Sequence, residues 1–81
     1  MQRYETEFEG YRLVVDADSS NCQVFVYDLT NCVILYTAKR VTLDAAKFCA
    51  VEFTVIYVFG HAHRLNIDLL VALLKWEPVS S

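Results

Sequence analysis

Apolar and polar residues alternate along residues 4–15, from Tyr4 to Val15, with one break at Gly10. Alternation with a period of two is typical of a strand with one exposed face. The break fits either a hairpin with a tight turn at Gly10 or one long strand with a glycine bulge. The hairpin form would also place Glu7 opposite Arg12 on the exposed face.

A second pair of strands is predicted further along the chain. Residues 23–27 and 32–38 are rich in Val, Ile, Phe and Tyr, the residue types that favour strands. Residues 28–31 between them read Asp-Leu-Thr-Asn, which is typical of a turn. Residues 16–21, before the pair, have the composition of a loop. We therefore predict a second hairpin, joined to the first segment by that loop.

The third region begins at Thr42, whose hydroxyl can cap a helix that starts at the next residue. Asp44 would lie in the first turn, where an acidic side chain is favourable. Residues 51–59 are β-branched or aromatic and also alternate, so this part fits a strand as well. Because no turn residue separates the two halves and Gly60 suits a helix end, we predict one helix from 43 to 59.

A final helix is predicted from Ile67 to about Trp76, with Asn66 as its cap and Pro78 beyond its end. Its apolar residues cover more than one side. Val71 and Ala72 make one side of this helix apolar. The other side carries four leucines at helical spacing, which are Leu69, Leu70, Leu73 and Leu74.

Strands followed by helices predict the α+β class. We expect one domain over residues 1–81, with an antiparallel meander of three to four strands and two helices packed on one face. This arrangement is a two-layer ββ(β)βαα sandwich. Hydrophobic residues make up 56% of the 81 positions, which excludes a disordered chain.

The two predicted helices together have more apolar surface than one thin sheet can cover, unless a monomer hides it by packing the helices on each other. A chain of this size buries only about 60 to 65% of its unfolded surface, and large exposed apolar patches mark interaction sites. We therefore predict a non-enzymatic interaction module that forms a homodimer, since closed two-fold dimers are the commonest assembly. The predicted partner-binding residues are Leu69, Leu70, Leu73, Leu74 and Trp76.

Charge, cysteine content and the length of uncharged runs bear on nucleic-acid binding, cellular compartment and membrane insertion. The net charge is −3 and the seven lysines and arginines are scattered, which argues against nucleic-acid binding. Three cysteines without a pairing pattern favour a reducing compartment, and the acidic N-terminus does not resemble a secretory signal, so we expect a cytoplasmic protein. The longest uncharged run, residues 53–63, is shorter than the about 20 apolar residues of a membrane-spanning helix.

An alternative function is weak binding of an anion or a nucleic acid at the start of the first helix. Lys39 and Arg40 lead into the cap residue Thr42, and Lys47 follows about one turn inside the helix. Cations and free backbone amides at a helix N-terminus attract phosphate and carboxylate groups. Solvated charges at the end of a strand explain the same residues without a ligand.

A metal site or metalloenzyme is a further alternative, with His61 and His63 as ligands. Zinc needs four ligands around one point, yet Cys22 and Cys32 would lie at opposite ends of their hairpin. Cys49 in an apolar helix fits packing better than nucleophilic catalysis. We therefore assign no catalytic residue, metal ligand or cofactor from the sequence.

Overall fold

A computed structural model describes residues 1–62 and 64–79 as an α+β fold, as predicted. The chain forms Gln2–Phe8 (β1), Tyr11–Ala17 (β2), Cys22–Asp28 (β3), Val33–Arg40 (β4), Leu43–Phe59 (α1), Ile67–Leu73 (α2) and Glu77–Val79 (β5). The strands make one antiparallel sheet in the order β4-β3-β2-β1-β5. α1 packs against β2, β3 and β4, and α2 packs against α1.

The first two strands form a hairpin, so the hairpin form of the prediction is correct. The turn residues Glu9 and Gly10 both have positive φ values, 54° and 84°. Two positive φ values match the turn whose twist suits a two-residue hairpin. Glu7 lies opposite Arg12 in the ladder, as expected.

The second hairpin, between β3 and β4, is also confirmed. Its turn is fixed by the Asp28 carboxylate, which accepts hydrogen bonds from the backbone N–H groups of Thr30 (2.9 Å) and Asn31 (3.2 Å). The Asn31 side-chain amide donates a third hydrogen bond of 2.7 Å. These bonds and the desolvation of the group act in opposite directions, and the net effect lowers the pKa of Asp28.

Residues 51–59 are helical, which confirms the continuous α1. The Thr42 hydroxyl accepts from the Ala45 N–H at 3.1 Å, as its predicted role as N-cap requires. At the other end Gly60 has φ 84°, and its N–H donates to the Ile56 carbonyl at 2.8 Å. The β-branched Thr54 is accommodated because its hydroxyl donates to a backbone carbonyl one turn earlier.

The end of α2 differs from the prediction. The helix ends at Leu73 rather than near Trp76, and Leu74 already has an extended backbone. Glu77–Val79 then adds a fifth strand, where the sequence predicted three or four strands and only a helix stop at Pro78. Pairing with β1 stabilises this short strand. That contact joins distant parts of the chain, so local composition does not reveal it.

The main core lies between the sheet and α1. Its fully buried side chains come from the facing sides of β2, β3 and α1. They include Leu13, Val15, Val24, Val26, Ala46, Ala50, Val51 and Val55. In the described residues, neither helix covers the opposite face of the sheet. We call these two sides the covered face and the open face.

Candidate functional site

The predicted partner-binding residues divide into an inward and an outward group. Leu70, Leu74 and Trp76 pack against the core. Leu69 and Leu73 point outward, and 56% and 72% of their surface is exposed. Since the exposed residues lie four positions apart on α2, they occupy one side of the helix. We call Leu69 and Leu73 the leucine pair.

The position of α2 is fixed at both ends. The Asn66 side chain caps the helix by accepting from the Leu69 N–H at 3.1 Å, and Ile67 inserts into the core. Beyond the helix, the Trp76 indole N–H donates to the Val71 carbonyl at 3.3 Å. The leucine pair is therefore held outward by an anchored helix.

Charges of opposite sign flank the leucine pair. Asp68 is exposed in the first turn of α2, where a carboxylate is favourable beside the helix N-terminus. Lys75 follows the helix and leaves 87% of its side chain exposed. Its ammonium lies 3.9 Å from Glu77, a distance at which an exposed ion pair contributes little. The surface of α2 thus has an apolar centre with one acidic and one basic end.

A cleft of about 520 Å³ adjoins the end of α2. Leu73 and Leu74 form part of its wall, and Val79 of β5 adds another apolar side chain. Glu7 and Arg12 of the first hairpin also contribute, but they bind each other at 2.9 Å. Three apolar side chains of the cleft thus continue from the leucine pair toward the sheet edge, while the rest of its lining is polar and includes Lys75.

The predicted anion-binding residues do not converge. The Lys47 ammonium lies over the rings of Tyr4 and Trp76, 5.2 Å and 5.5 Å from their centroids. Tyr4 belongs to β1, which is three strand spacings, or about 14 Å, from β4 with Lys39 and Arg40. Those two cations remain exposed near the start of α1 without Lys47.

The candidate metal and nucleophile residues are also spread apart. Cys22, Cys32 and Cys49 are free thiols, and Cys22 pairs in register with Arg40 at the opposite end of the hairpin from Cys32. Within residues 1–62 and 64–79 no group of three or more metal-ligating side chains forms. His61 follows the end of α1, so about 15 Å of helix separates it from Cys49. His63 lies outside the described residues.

The Cys49 thiol contacts a tyrosine. Its sulfur lies 3.5 Å from the Tyr36 hydroxyl in the layer between α1 and β4. This hydrogen bond, together with burial, raises the pKa of Tyr36. The Tyr36 ring also stacks on Phe53, with centroids 4.3 Å apart. These contacts make Cys49 part of the packing between α1 and the sheet.

The open face carries an ion-pair network, of which the sequence predicted only the Glu7–Arg12 pair. Arg3 donates two hydrogen bonds to the Asp16 carboxylate, at 2.6 Å and 2.8 Å, and these bonds raise the pKa of Arg3. Glu5 lies 4.0 Å from Arg3 and 3.9 Å from Arg12. The Glu7–Arg12 pair completes the network. The hairpin register that pairs Glu7 with Arg12 also pairs Arg3 with Asp16. Extending that register along both strands would therefore have predicted the Arg3–Asp16 ion pair.

Comparisons with protein-family models, with curated proteins and with solved structures gave no match to this chain. In the part of the chain that the structure describes, no helix is both long and apolar enough to span a membrane.

Proposed function

We propose that this chain is a non-enzymatic interaction module that forms a homodimer through α2. The supporting observation is the outward position of the leucine pair, with 56% of Leu69 and 72% of Leu73 exposed on an anchored helix. Apolar side chains surrounded by charged residues are typical of protein interaction surfaces. The three free thiols support a reducing compartment such as the cytoplasm.

The order of residues along α2 suits a second copy of the same helix. In an antiparallel two-fold pair centred near Val71, Leu69 of each copy lies against Leu73 of the other. The same arrangement brings Asp68 of one copy toward Lys75 of the other, so opposite charges meet at both ends. The order of apolar and charged residues along this surface is thus complementary to that of a second, antiparallel copy.

The size of α2 sets the expected strength. Seven residues of helix span about 10 Å, whereas a standard interface buries about 1,200 to 2,000 Å² in total. The adjoining cleft can add apolar area from Leu74 and Val79. We therefore expect this contact to dissociate on dilution. Acting alone, it would give an average mass between 9.3 kDa and twice that value.

The test is molar mass by light scattering and sedimentation across micromolar concentrations. We expect Leu73→Asp to abolish association through α2 and so to lower the molar mass, because the new carboxylate lies in the apolar centre of that surface. Ala62→Asp adds the same charge at an exposed turn outside α2 and should leave the dimer intact. Leu70→Asp is a poorer variant, since Leu70 packs on the core and its loss would destabilise the fold. A wild-type chain that stays at 9.3 kDa throughout this range contradicts the proposal.

A charge exchange tests the antiparallel orientation. Asp68→Lys should weaken the dimer, because it places two cations together at each end of the helix pair. Adding Lys75→Asp restores opposite charges and should recover most of the association. Circular dichroism verifies that each variant keeps its helix content. Equal association of the single and double variants would rule out this orientation.

A further inference from the structure

The two edges of the sheet differ in how they are protected. β5 is three residues long, contains Glu77 and contains Pro78, which has no backbone N–H to donate. Short length, charge and proline are the devices by which proteins keep an edge strand from pairing with another chain. β4 forms the other edge and is eight residues long.

The β4 edge lacks most of that protection. Residues 33–38 carry no charged side chain and no proline. Leu35 forms a bulge, because consecutive residues of β3 pair with Tyr36 and with Ile34. From Tyr36 to Arg40 the ladder is regular, so its outward backbone groups are spaced for another strand. Within the described residues no strand of the chain occupies this side of β4.

We infer that β4 is a second self-association surface, on which β4 of another copy pairs antiparallel to form one continuous sheet. The protected β5 edge cannot accept β4, so the pairing joins two β4 edges and closes as a two-fold dimer. A parallel arrangement would put Lys39 beside Lys39 and Arg40 beside Arg40. The antiparallel arrangement separates these like charges.

The exposed apolar residues indicate the register. Val41, in the bend after β4, is 82% exposed, and Ile34 is 54% exposed. A two-fold axis at Ala38 brings Ile34 and Leu35 of one copy beside Val41 of the other. It also places Thr37 directly opposite Lys39 of the second copy. This register removes two exposed apolar side chains per copy from water while it pairs the free backbone groups.

This inference rests on the proposed function in taking a second copy as partner, but it uses a surface that α2 does not share. If both surfaces operate, successive copies are joined in turn by the α2 contact and the β4 contact, so the assembly grows beyond a dimer. A chain with only one surface stops at a dimer. Variants at the two surfaces therefore separate the two proposals.

Thr37→Lys and Thr37→Glu test the β4 pairing by opposite effects at one exposed position. Thr37→Lys sets two cations opposite each other and should lower the mass measured by sedimentation. Thr37→Glu sets a carboxylate opposite Lys39 of the second copy and should raise the associated fraction. Gln2→Lys, on a strand three positions away in the sheet, controls for net charge and should change nothing. If both Thr37 variants associate as the wild type does, the inference is wrong.

Hydrogen–deuterium exchange of the unaltered chain provides a measurement that does not depend on a variant folding. The outward amides of residues 36–40 should exchange about tenfold more slowly in concentrated than in dilute solution, since pairing protects them. The amides in the middle of α1, which bond within that helix and belong to neither proposed surface, serve as the internal reference. Exchange in β4 that is independent of concentration overturns the inference.

The combined outcomes distinguish the two surfaces. If Thr37→Lys lowers the mass and Leu73→Asp does not, β4 is the interface and the α2 proposal fails. The reverse result leaves α2 as the interface and rejects β4. If each variant reduces a larger wild-type species to a dimer, both surfaces operate.

Discussion

On the covered face of the sheet, Val26 lies beneath α1 and is fully buried. On the open face, Val14 is only 1% exposed although no described helix lies above it. In register, Val14 lies between Glu5 and Phe25, and Arg3 and Arg12 line the same surface depression. The two faces therefore exclude water in different ways, one by a packed helix and the other by long side chains.

The difference shows that charged residues can complete a layer. An arginine or glutamate side chain can cover apolar surface with its methylene groups while its charged end stays in water. On the open face the ion-pair network holds those side chains in place across β1 and β2, and the rings of Phe25 and Tyr27 stack beside them, with centroids 6.3 Å apart. A thin two-layer domain thereby gains a second buried region without a second helix layer.

The largest expected effect comes from truncating one valine on each face. Val26→Ala should lower the free energy of unfolding by about 2 to 3 kcal/mol, because close packing under α1 leaves a cavity. Val14→Ala should cost about 1 kcal/mol, since flexible side chains can collapse into the space. Urea denaturation of both variants measures the difference. Equal losses would mean that the open face is packed as rigidly as the covered one.

A smaller effect is expected from the ion pairs of the open face. Arg3→Gln should cost about 1 kcal/mol, because it leaves the nearly buried Asp16 carboxylate without its two charge-assisted hydrogen bonds. Glu7→Gln should cost less than Arg3→Gln, because Glu7 and Arg12 are both exposed and solvent screens their attraction. Thermal unfolding of the two variants at low and at high salt is the measurement. A larger loss for Glu7→Gln would reverse our ranking of the two pairs.

The end of the covered face should respond to acid through Asp28. Its pKa is lowered from the ordinary 3.8 by hydrogen bonds from Asn31 and Thr30. A lowered pKa in the folded state contributes stability above pH 3.8 that is lost as the pH falls through the folded-state value. Asp28→Asn should remove this part of the acid dependence, which unfolding measured between pH 2 and about pH 6 detects. If Asp28→Asn leaves the loss of stability at low pH unchanged, other carboxylates cause that loss.

Local signals correctly predicted the parts of the fold that depend on neighbouring residues. Gly10 and the alternation around it indicated the first hairpin, although the sequence alone also allowed a bulged strand. Thr42 and Gly60 correctly marked both ends of α1. In each case the deciding interaction spans only a few residues, so it can be read from composition and spacing.

The candidate surface was predicted only in part. The sequence singled out the leucines of α2 but did not separate Leu69 and Leu73, which face outward, from Leu70 and Leu74, which face the core. A helix that is apolar on most sides carries no periodic signal for its own orientation. The contacts of Lys47 likewise could not be predicted from the sequence, because its aromatic neighbours come from β1 and from the segment after α2.

The amino-acid sequence by itself determined the α+β class, the order of its main elements and the caps of its helices, since these follow from local propensity and period. Only the tertiary structure decided the fifth strand, the end of α2 and which strands, β4 and β5, form the edges of the sheet in the described residues. Glu77–Val79 is too short to form a strand on its own and does so because β1 offers it hydrogen bonds. Contacts between distant residues set these features, and such contacts leave no pattern within a short window of sequence.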